Sequence, residues 1–419
     1  MSQMPAITPK VIAAGAIGNV LEWYDFAIYG YFAVVIGRTF FPHEDPLAQL
    51  LATFGIFAIG FVVRPVGGDL IGHIGDRFGR RTALTVSVAA MAVPTFLIGI
   101  LPGYQSLGVM APVLLTALRV IQGLSVGGEC TTSIVFMVER APPGRRGVMG
   151  AISCASATCG MMLGSAMGAV LSLALSPEAL DSWGWRIPFL LGLSLGVIGY
   201  FLRRDIVEAP RPPTGRRLPL VEVFRDHMRL LLRLVALSAL NSVGFFVVFV
   251  YIVTWLQRNG VPPARALGIN TVSMAAEVLV MFAVAWWSDR IGRRSLGLAA
   301  AAIAFVAALP LFWLMHHDNP ALIFLGQMGF VLALGMSWGV LPSILVESTP
   351  ASVRCTIIAL GFNVTMGVVG GVTPLVATWL VARTQQDLSP AFLIMAAAAV
   401  SFLTLLSFAE SHRKALAVT

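Results

Sequence analysis

Long apolar runs, separated by short polar segments, set the pattern of this chain. The hydrocarbon core of a bilayer takes roughly 20 apolar residues per helix, and windows of that size predict twelve spans. The runs are continuous, without the alternation of a β-barrel strand, and backbone groups in lipid must bond internally, so the spans should be helices. The predicted spans cover about 11–37, 47–72, 83–102, 107–138, 147–176, 184–203, 228–257, 265–288, 295–316, 319–346, 353–382 and 389–409.

The longest polar stretch covers residues 204–227 and includes EAPRPPTGRRLP. Its proline, glycine and arginine content is typical of a linker. It falls between the sixth and seventh spans and predicts an N-terminal six-helix bundle over 1–203, a cytoplasmic linker over 204–227 and a C-terminal six-helix bundle over 228–419.

The two halves share motifs at matched distances along the chain. DRFGRR begins at Asp76 and DRIGRR begins at Asp289, an offset of 213 residues. A second match, with an offset of 208, relates the pair Glu139 and Arg146 to the pair Glu347 and Arg354. Both offsets are about half the chain, which indicates an internal duplication of a kind known in transporters.

Composition and charge agree with a membrane protein. Charged residues make up 11% of the chain, whereas a soluble domain carries roughly a quarter. The net charge of +8 lies in short clusters between apolar runs, which favours cytoplasmic loops over a nucleic-acid surface. With the N-terminus inside, 21 basic residues fall on the cytoplasmic side and 5 outside. This split predicts a multi-pass protein of the cytoplasmic (inner) membrane with both termini in the cytoplasm.

A G-x-x-x-D-R-x-G-R-R motif occupies the predicted turn between spans two and three, and a related copy follows span eight, where Ala285 replaces the first glycine. The acidic residue can accept hydrogen bonds from the arginines or from a nearby helix N-terminus. The cluster could therefore hold one state of a moving bundle, although it could also be a plain basic loop. The predicted gating residues are Gly72, Asp76, Arg77, Gly79, Arg80 and Arg81 in the N-terminal copy, and Asp289, Arg290, Arg293 and Arg294 in the C-terminal copy.

Span one contains GNVLEWYDFAIYGY, with two carboxylates in the middle of an apolar run. On a helix, Gly18, Glu22, Asp25 and Tyr29 share one face. An ionised carboxylate at this depth costs at least roughly 2.5 kcal/mol, so both must be paired, protonated or hydrated. A group that takes and releases a proton would serve proton coupling, and a structural ion pair between spans one and four is the alternative.

Arg119, near the centre of span four, is the natural partner of Asp25. It could neutralise Asp25 in the empty carrier, hold a substrate carboxylate through its planar fork, or form a permanent structural pair. Glu129, further along the same span, could relay protons or pair with Arg64. The predicted proton-coupling residues are Glu22, Asp25, Arg119 and Glu129.

Several other polar residues lie inside predicted spans and could line a polar cavity. Each is equally an ordinary inter-helix hydrogen-bonding or interfacial residue, and a protonated core glutamate is the alternative for Glu277. The predicted substrate contacts are Tyr29, Arg119, Asn241, Tyr251, Glu277, Gln327, Trp338 and Asn363.

The duplicated turn motif, together with R-x-x-x-G from Arg119 to Gly123, resembles the major facilitator superfamily. GNVLEWYDFAIYGYFA, RPVGG, GLSVGGE, WGWRIPF and FVVFVYIVTWLQ are similar to its metabolite:proton symporter branch, which carries citrate, α-ketoglutarate, shikimate and proline or betaine. The resemblance implies an all-α membrane protein with twelve transmembrane helices in two pseudo-symmetric six-helix bundles around a central cavity. It also implies that charged residues of helices one and four, here Asp25 and Arg119, take part in coupling.

The sequence therefore predicts a proton-coupled symporter that imports a small organic anion, a di- or tricarboxylate such as citrate, because intramembrane arginines favour an anion. A zwitterion such as proline or betaine is the alternative, with Trp338 and Trp255 as faces for a quaternary ammonium. A non-transporting membrane receptor on the same fold and a channel are further alternatives.

The expected partners are the small-molecule substrate, protons and the lipid bilayer, without nucleic acid, and we expect the protein to function as a monomer. No enzyme motif is found, and no cofactor or metal site is predicted. The four cysteines lie in or beside apolar runs and are expected to pack without forming disulfides.

Overall fold

The computed structural model describes residues 9–42, 45–78, 80–126, 129–203, 219–317, 319–413 and 416. Within its helices, side chains are described except at 9–15, 69, 72, 73, 75, 76, 80, 81, 83, 84, 129, 195, 199, 200, 202, 203, 219 and 221. All four cysteines are among the described residues, and none of them is in a disulfide there.

Helices form all of the membrane-crossing segments in the part of the chain that the structure describes. Eight are long and apolar enough to cross a bilayer, one bent pair forms a ninth crossing, and three shorter apolar helices complete the twelve predicted spans. We number the spans 1 to 12 and give their bounds in order. They are Pro9–Tyr31 with Ala33–Phe40, Pro46–Val62 with Arg64–Phe78, Arg80–Ile100, Met110–Ser125 with Glu129–Glu139, Arg146–Ala174, Arg186–Arg203, Met228–Arg258, Pro263–Ile291, Arg294–Met315, Pro320–Glu347, Arg354–Thr384 and Pro390–Leu406.

Spans 1, 7 and 11 depart from a regular α-helix, in addition to the breaks that divide spans 2 and 4. Span 1 bends by 66° at Phe32, between its two helices. Spans 7 and 11 contain wide π-helical turns, at Phe246–Tyr251 and Asn363–Gly370. Such turns interrupt the regular hydrogen-bond ladder and are frequent at functional sites, and both lie where the two bundles meet.

Short helices lie outside the spans at Tyr104–Leu107, Pro177–Ala179 and Pro219–Asp226. The last of these lies within residues 204–227, the predicted linker. Val223 is buried in the described structure, and the Ser352 hydroxyl donates to Glu222 at 3.3 Å, so this helix is docked beside the start of span 11. Residues 204–218 lie outside the described part of the chain.

The bundle formed by spans 1–6 packs against the bundle formed by spans 7–12, mainly through span 5 on span 8 and span 2 on span 11. We call the end that contains Arg146, Asp289 and Glu347 the cytoplasmic end, following the predicted topology. Midway between the ends, where a central cavity is expected, aromatic side chains from both bundles are in contact in this conformation. Trp23 lies 5.4 Å from Phe245 between ring centroids.

Candidate functional site

A buried hydrogen-bonded network surrounds Asp25 at the middle of span 1. Arg119 of span 4 approaches the Asp25 carboxylate at 3.2 Å, and the two side chains are 0% and 3% exposed. Gln122 donates to the same carboxylate at 2.8 Å, and the Thr95 hydroxyl of span 3 also donates to it. Arg119 in turn donates to Gln122 at 3.0 Å. The predicted contact between Asp25 and Arg119 is present, and its role in transport stays a prediction.

Glu22 lies one helical turn before Asp25 and forms the second buried ion pair of this bundle. Its carboxylate is 3.1 Å from the Arg64 guanidinium of span 2, and both side chains are buried. The sequence analysis offered Glu129 as a possible partner of Arg64. The structure pairs Arg64 with Glu22, and a contact between Arg64 and Glu129 stays a prediction. The Glu129 side chain itself lies outside the description.

Aromatic rings flank both guanidinium groups. The Arg64 guanidinium lies 4.3 Å from the Phe26 ring and 4.1 Å from the Phe61 ring. The Arg119 guanidinium lies 4.4 Å from the Tyr29 ring. Cation–π contacts of this kind hold a buried cation in place where water is excluded. The Tyr29 hydroxyl, a predicted substrate contact, donates to the Thr53 carbonyl at 3.3 Å in this conformation.

The aromatic cluster continues into the C-terminal bundle. The Phe61 ring lies 5.2 Å from the ring of Phe246, the first residue of the wide turn in span 7. A side chain at Gly371, just after the wide turn of span 11, would overlap Phe61, so glycine lets spans 2 and 11 approach closely. The rings beside the two arginines therefore belong to the N-terminal bundle, and Phe61 among them contacts a ring of the C-terminal bundle.

Both arginines keep donors that the described residues leave unpaired. The Nε and Nη2 atoms of Arg64 and Arg119 have no hydrogen-bond partner among the described residues, although both side chains are fully buried. The Trp23 indole N–H is also unpaired within that part of the chain. Buried donors without partners are costly in a protein interior, so they mark places where a ligand can bind.

A small cavity of about 30 Å³ lies beside Asp25, inside the N-terminal bundle and among spans 1, 3, 4 and 6. Glu22, Ser87, Thr95 and Gly192 line it together with Asp25. A water molecule needs about 10–15 Å³ by the same measure, so the cavity has room for a water beside the carboxylate.

The predicted contacts of the C-terminal bundle lie at several depths. Asn241 accepts a hydrogen bond from Ser337 at 2.8 Å, and Gln327 donates to Asn270 at 3.0 Å. The Trp338 ring lies 6.1 Å from Phe245, at the edge of the central aromatic cluster. All of these side chains are buried, with Asn241 and Trp338 each keeping an unpaired N–H among the described residues.

Two further predicted contacts are less central. Tyr251 is buried 6.5 Å from the Phe54 ring of the opposite bundle, and Asn363 begins the wide turn of span 11. The sequence analysis proposed Trp255, together with Trp338, as a face for a quaternary ammonium. In the structure Trp255 lies apart from the central aromatic cluster. Its indole donates to the Asp387 carbonyl, in the loop before span 12, and therefore faces away from the central cluster.

A polar cluster that the sequence analysis missed joins the two bundles towards the outer end. Asn270 of span 8 donates to the hydroxyls of Tyr31 and Ser165 at 3.1 and 3.3 Å. Thr271 donates to Ser165 at 2.9 Å. Small polar side chains in apolar helices usually hydrogen-bond to the backbone of their own helix. The sequence therefore has no signal that distinguishes these interfacial residues from other small polar residues in the spans.

Glu277 lies in span 8 and is fully buried against span 5. The Thr158 hydroxyl donates to one carboxylate oxygen at 3.4 Å. The other oxygen, Oε1, has no hydrogen-bond partner among the described residues. Glu277 thus belongs to the interface between the bundles, as expected for a predicted substrate contact.

The C-terminal copy of the turn motif bridges the bundles at the cytoplasmic end. Asp289 accepts hydrogen bonds from the backbone N–H groups of Gly147 at 2.8 Å and Val148 at 3.3 Å, at the N-terminus of span 5. A carboxylate is favourable at that position because the helix dipole is positive there. Arg293 donates to Asp289 at 2.8 Å and to Glu347 at 3.1 Å.

Two further ion pairs cross between the bundles at the same end. Arg146 lies 3.6 Å from Glu347, and Arg354 binds Glu139. These two pairs, with Asp289, Arg293 and the backbone of Gly147 and Val148, form what we call the cytoplasmic latch. The four residues with matched offsets in the sequence thus meet across the interface.

The remaining predicted gating residues do not join this latch in the described structure. Arg290 is exposed and stacks on Trp286 at 3.5 Å, and Arg294 donates to the Leu406 carbonyl within its own bundle. In the N-terminal copy, Arg77 is exposed. Gly79 lies outside the described residues. The surroundings of Gly72 and the side chains of Asp76, Arg80 and Arg81 are also outside the described part of the chain.

Glu410 contacts the cytoplasmic latch through the backbone of Arg293. Its carboxylate accepts hydrogen bonds from the backbone N–H groups of Arg293, Arg294, Ser411 and His412. Partial burial alone would raise the pKa of Glu410, but these four donors outweigh it and lower the pKa to about 2. The carboxylate is therefore ionised at neutral pH and caps the start of span 9.

Comparison with known proteins places the chain among membrane carriers. The profile of the Major Facilitator Superfamily matches residues 15–374. A proline/betaine transporter of Salmonella typhimurium is 32% identical over 97% of this chain and 84% of its own length. A glycine betaine/proline/ectoine/pipecolic acid transporter of Dickeya dadantii is 33% identical over the same shares of the two chains.

Solved structures agree on the fold. The crystal structure of a D-xylose–proton symporter superposes with a TM-score of 0.78, at 19% identity, over 96% of this chain and 98% of the other. An inward-open xylose transporter from Escherichia coli gives a TM-score of 0.74, at 17% identity, over 97% of both chains. These similarities confirm the twelve-span, two-bundle architecture predicted from the sequence.

Proposed function

Because this chain belongs to the major facilitator superfamily, we propose that it imports a small zwitterion of the proline or betaine class across the cytoplasmic membrane together with protons. The observation that carries the proposal is the pair of fully buried arginines, flanked by aromatic rings, whose Nε and Nη2 groups have no partner among the described residues. The relatives described above, named as proline and betaine transporters, support the same class of solute.

Charge balance favours a zwitterion over the citrate that the sequence first suggested. The intramembrane arginines seemed to offer excess positive charge, but each is paired: Arg64 with Glu22, and Arg119 with Asp25. A zwitterion adds no net charge to this balanced set. A di- or tricarboxylate would bring two or three negative charges into a buried site where uncompensated charge is costly.

Both ends of a zwitterion find suitable chemistry among the described residues. The free Nε and Nη2 donors of Arg119 can bind a carboxylate in a forked, two-bond geometry. The rings of Trp23, Phe61 and Phe246 present apolar and π surface to a pyrrolidine ring or to methyl groups on nitrogen. Separation of these rings would open the space that a solute needs.

Proton coupling follows from the pair of Asp25 and Arg119. When Asp25 takes a proton, it loses the charge that holds Arg119, and the guanidinium becomes available to the solute carboxylate. The cavity beside Asp25 offers water a place within the N-terminal bundle from which the proton can arrive. When the proton leaves on the cytoplasmic side, Asp25 recovers Arg119 and the solute is released.

Alternating access follows from the contacts between the bundles. The cytoplasmic latch closes one end, and the cluster of Tyr31, Ser165 and Asn270 closes the other. Opening one end while the other stays closed would rock one bundle against its partner.

Uptake into proteoliposomes with an alkaline interior tests the proposal. Labelled glycine betaine or proline should accumulate while the pH gradient lasts and leak out when a protonophore is added, whereas labelled citrate should not accumulate. Accumulation of citrate without betaine or proline would overturn the choice of solute. Absence of uptake for all three would favour the non-transporting receptor.

A matched pair of substitutions ties the uptake to the site. Arg119→Gln should abolish accumulation because it removes the buried cation that binds the carboxylate. Arg38→Gln removes a surface ion pair with Asp181 whose side chains are 58% and 42% exposed, and it should leave uptake close to the wild-type rate. Equal rates in the two variants would contradict the role given to Arg119.

A further inference from the structure

Glu277 differs from the other buried carboxylates of the membrane region in its surroundings. Glu22 and Asp25 each lie within 3.2 Å of an arginine nitrogen. Glu277 is 0% exposed, yet no basic side chain among the described residues lies within 4.0 Å of its carboxylate. Its only hydrogen bond from a described residue is the long one from Thr158, and Oε1 has none. A buried carboxylate in this setting is stable only when it carries a proton or a bound cation.

Glu277 lies at a depth in the membrane close to that of Glu22. Span 5 follows span 1 closely: Asn19 donates to Ser156 at 3.0 Å, and a side chain at Gly160 would overlap the Val20 backbone. Thr158, the partner of Glu277, therefore lies level with Asn19 and Val20. At 1.5 Å of rise per residue, that level is about 3–4.5 Å along the helix axis from Glu22 and about 7.5–9 Å from Asp25.

The two bundles thus carry buried groups of opposite charge without partners among the described residues. The N-terminal bundle offers arginine N–H groups without partners in the described structure, and the C-terminal bundle offers a carboxylate oxygen without one. A zwitterion has the complementary arrangement, because its carboxylate and its ammonium lie at opposite ends of a short molecule.

We propose that Glu277 is the cation-binding half of the solute site and pairs with the ammonium group, while Arg119 binds the carboxylate. This inference rests on the proposed function and adds the residue that binds the positively charged group of the solute. A solute held at both ends joins the two bundles directly. Binding would then favour the conformation in which the bundles close around the solute, since only that conformation supplies both contacts.

The test compares glycine betaine with 3,3-dimethylbutyrate, which has the same shape but carbon in place of the charged nitrogen. Initial uptake of labelled betaine is measured in proteoliposomes, with each compound as an unlabelled competitor. Wild-type protein should prefer betaine by at least about tenfold in inhibition constant, because only betaine satisfies the carboxylate of Glu277. Glu277→Gln should bring the two constants to within about twofold, mainly by weakening betaine.

Two further variants separate charge recognition from damage to the fold. Glu277→Asp keeps the charge and should retain most of the preference for betaine, even if the uptake rate falls. Glu222→Gln makes the same chemical change on the short helix Pro219–Asp226, outside the membrane, and should retain the full preference. A general defect would weaken both competitors equally and leave their ratio unchanged.

The outcomes distinguish this inference from the proposed function. If wild-type protein takes up betaine and Glu277→Gln keeps the wild-type preference over 3,3-dimethylbutyrate, the role of Glu277 is refuted while zwitterion transport stands. If wild-type protein takes up neither betaine nor proline, the proposed function itself fails. Loss of the preference in Glu277→Gln alone, with the preference kept in Glu277→Asp, supports the inference.

Discussion

Asp289→Asn is the substitution that acts most directly on the cytoplasmic latch. The Asp289 carboxylate accepts bonds from the backbone of Gly147 and Val148, and both bonds cross from one bundle to the other. Its bond with Arg293 stays within the C-terminal bundle and need not change when the bundles separate. Only the two crossing bonds therefore shift the balance between the closed and open states.

The size of the effect follows from the loss of charge on the acceptor. A hydrogen bond to a charged group contributes about 1.5–3 kcal/mol, and a neutral one contributes about 0.5–1.5 kcal/mol. The two N–H groups donate to different oxygens of Asp289, and asparagine keeps only one acceptor oxygen. The shorter bond from Gly147 can persist as a neutral bond and the longer, weaker bond from Val148 is lost, which together should weaken the crossing contacts by about 2 kcal/mol. Since about 1.4 kcal/mol corresponds to a factor of ten, the fraction of molecules open at this end should rise about thirtyfold.

Labelling of a cysteine placed at Ser343 measures that opening. Ser343 is fully buried, and its hydroxyl donates to the Arg146 carbonyl across the interface. With the four native cysteines replaced, Ser343→Cys should react with a maleimide about thirtyfold faster when Asp289→Asn is also present. Asp226→Asn, whose side chain is 56% exposed outside the latch, is the matched control. Equal labelling rates in the two variants would refute the reasoning.

The remaining predictions concern the latch, its support and the arginine site. Gly147→Val should raise the same labelling rate, because a Cβ there would lie 2.5 Å from the Ala285 carbonyl oxygen, whereas Gly55→Val, with open space around it, should not. Glu410→Gln should lower the melting temperature in detergent at pH 7. Since folding lowers the pKa of Glu410 to about 2, its contribution is full above the unfolded value of 4.5, and the difference from wild type should vanish as pH falls towards 2. Arg119→Lys should slow betaine uptake at least about tenfold, because an ammonium cannot form the forked contact, and a wild-type initial rate would contradict this.

The sequence predicts the fold well because the membrane imposes strong rules. Apolar run length, the basic loops and the duplicated motif are each sufficient to indicate spans or repeats, and the twelve spans agree. The contact of Asp25 with Arg119 could also be predicted, since two charges buried at similar depth in neighbouring helices have few other partners. Helix breaks were missed, because the bend at Phe32 depends on packing against other spans.

Partner choice is where the sequence reasoning fails. The sequence analysis offered only Glu129 to Arg64, and the pair of Arg64 with Glu22 is visible only in the three-dimensional packing. That choice also removes the apparent excess of positive charge on which the citrate prediction depended. In the latch, Asp289 binds a helix N-terminus in the opposite bundle, which no local pattern reveals. The contacts of polar residues such as Asn270 and Thr95 are made with residues distant in sequence, so the sequence alone does not reveal their roles.

The most direct test of the account is betaine transport by Asp25→Asn in two assays on the same proteoliposomes. The asparagine mimics a protonated Asp25, so exchange of labelled for unlabelled betaine across the membrane should continue without any pH gradient. Accumulation driven by an alkaline interior should be lost, because no proton can be carried. Accumulation by Asp25→Asn at the wild-type level would contradict the coupling role of the Asp25–Arg119 pair.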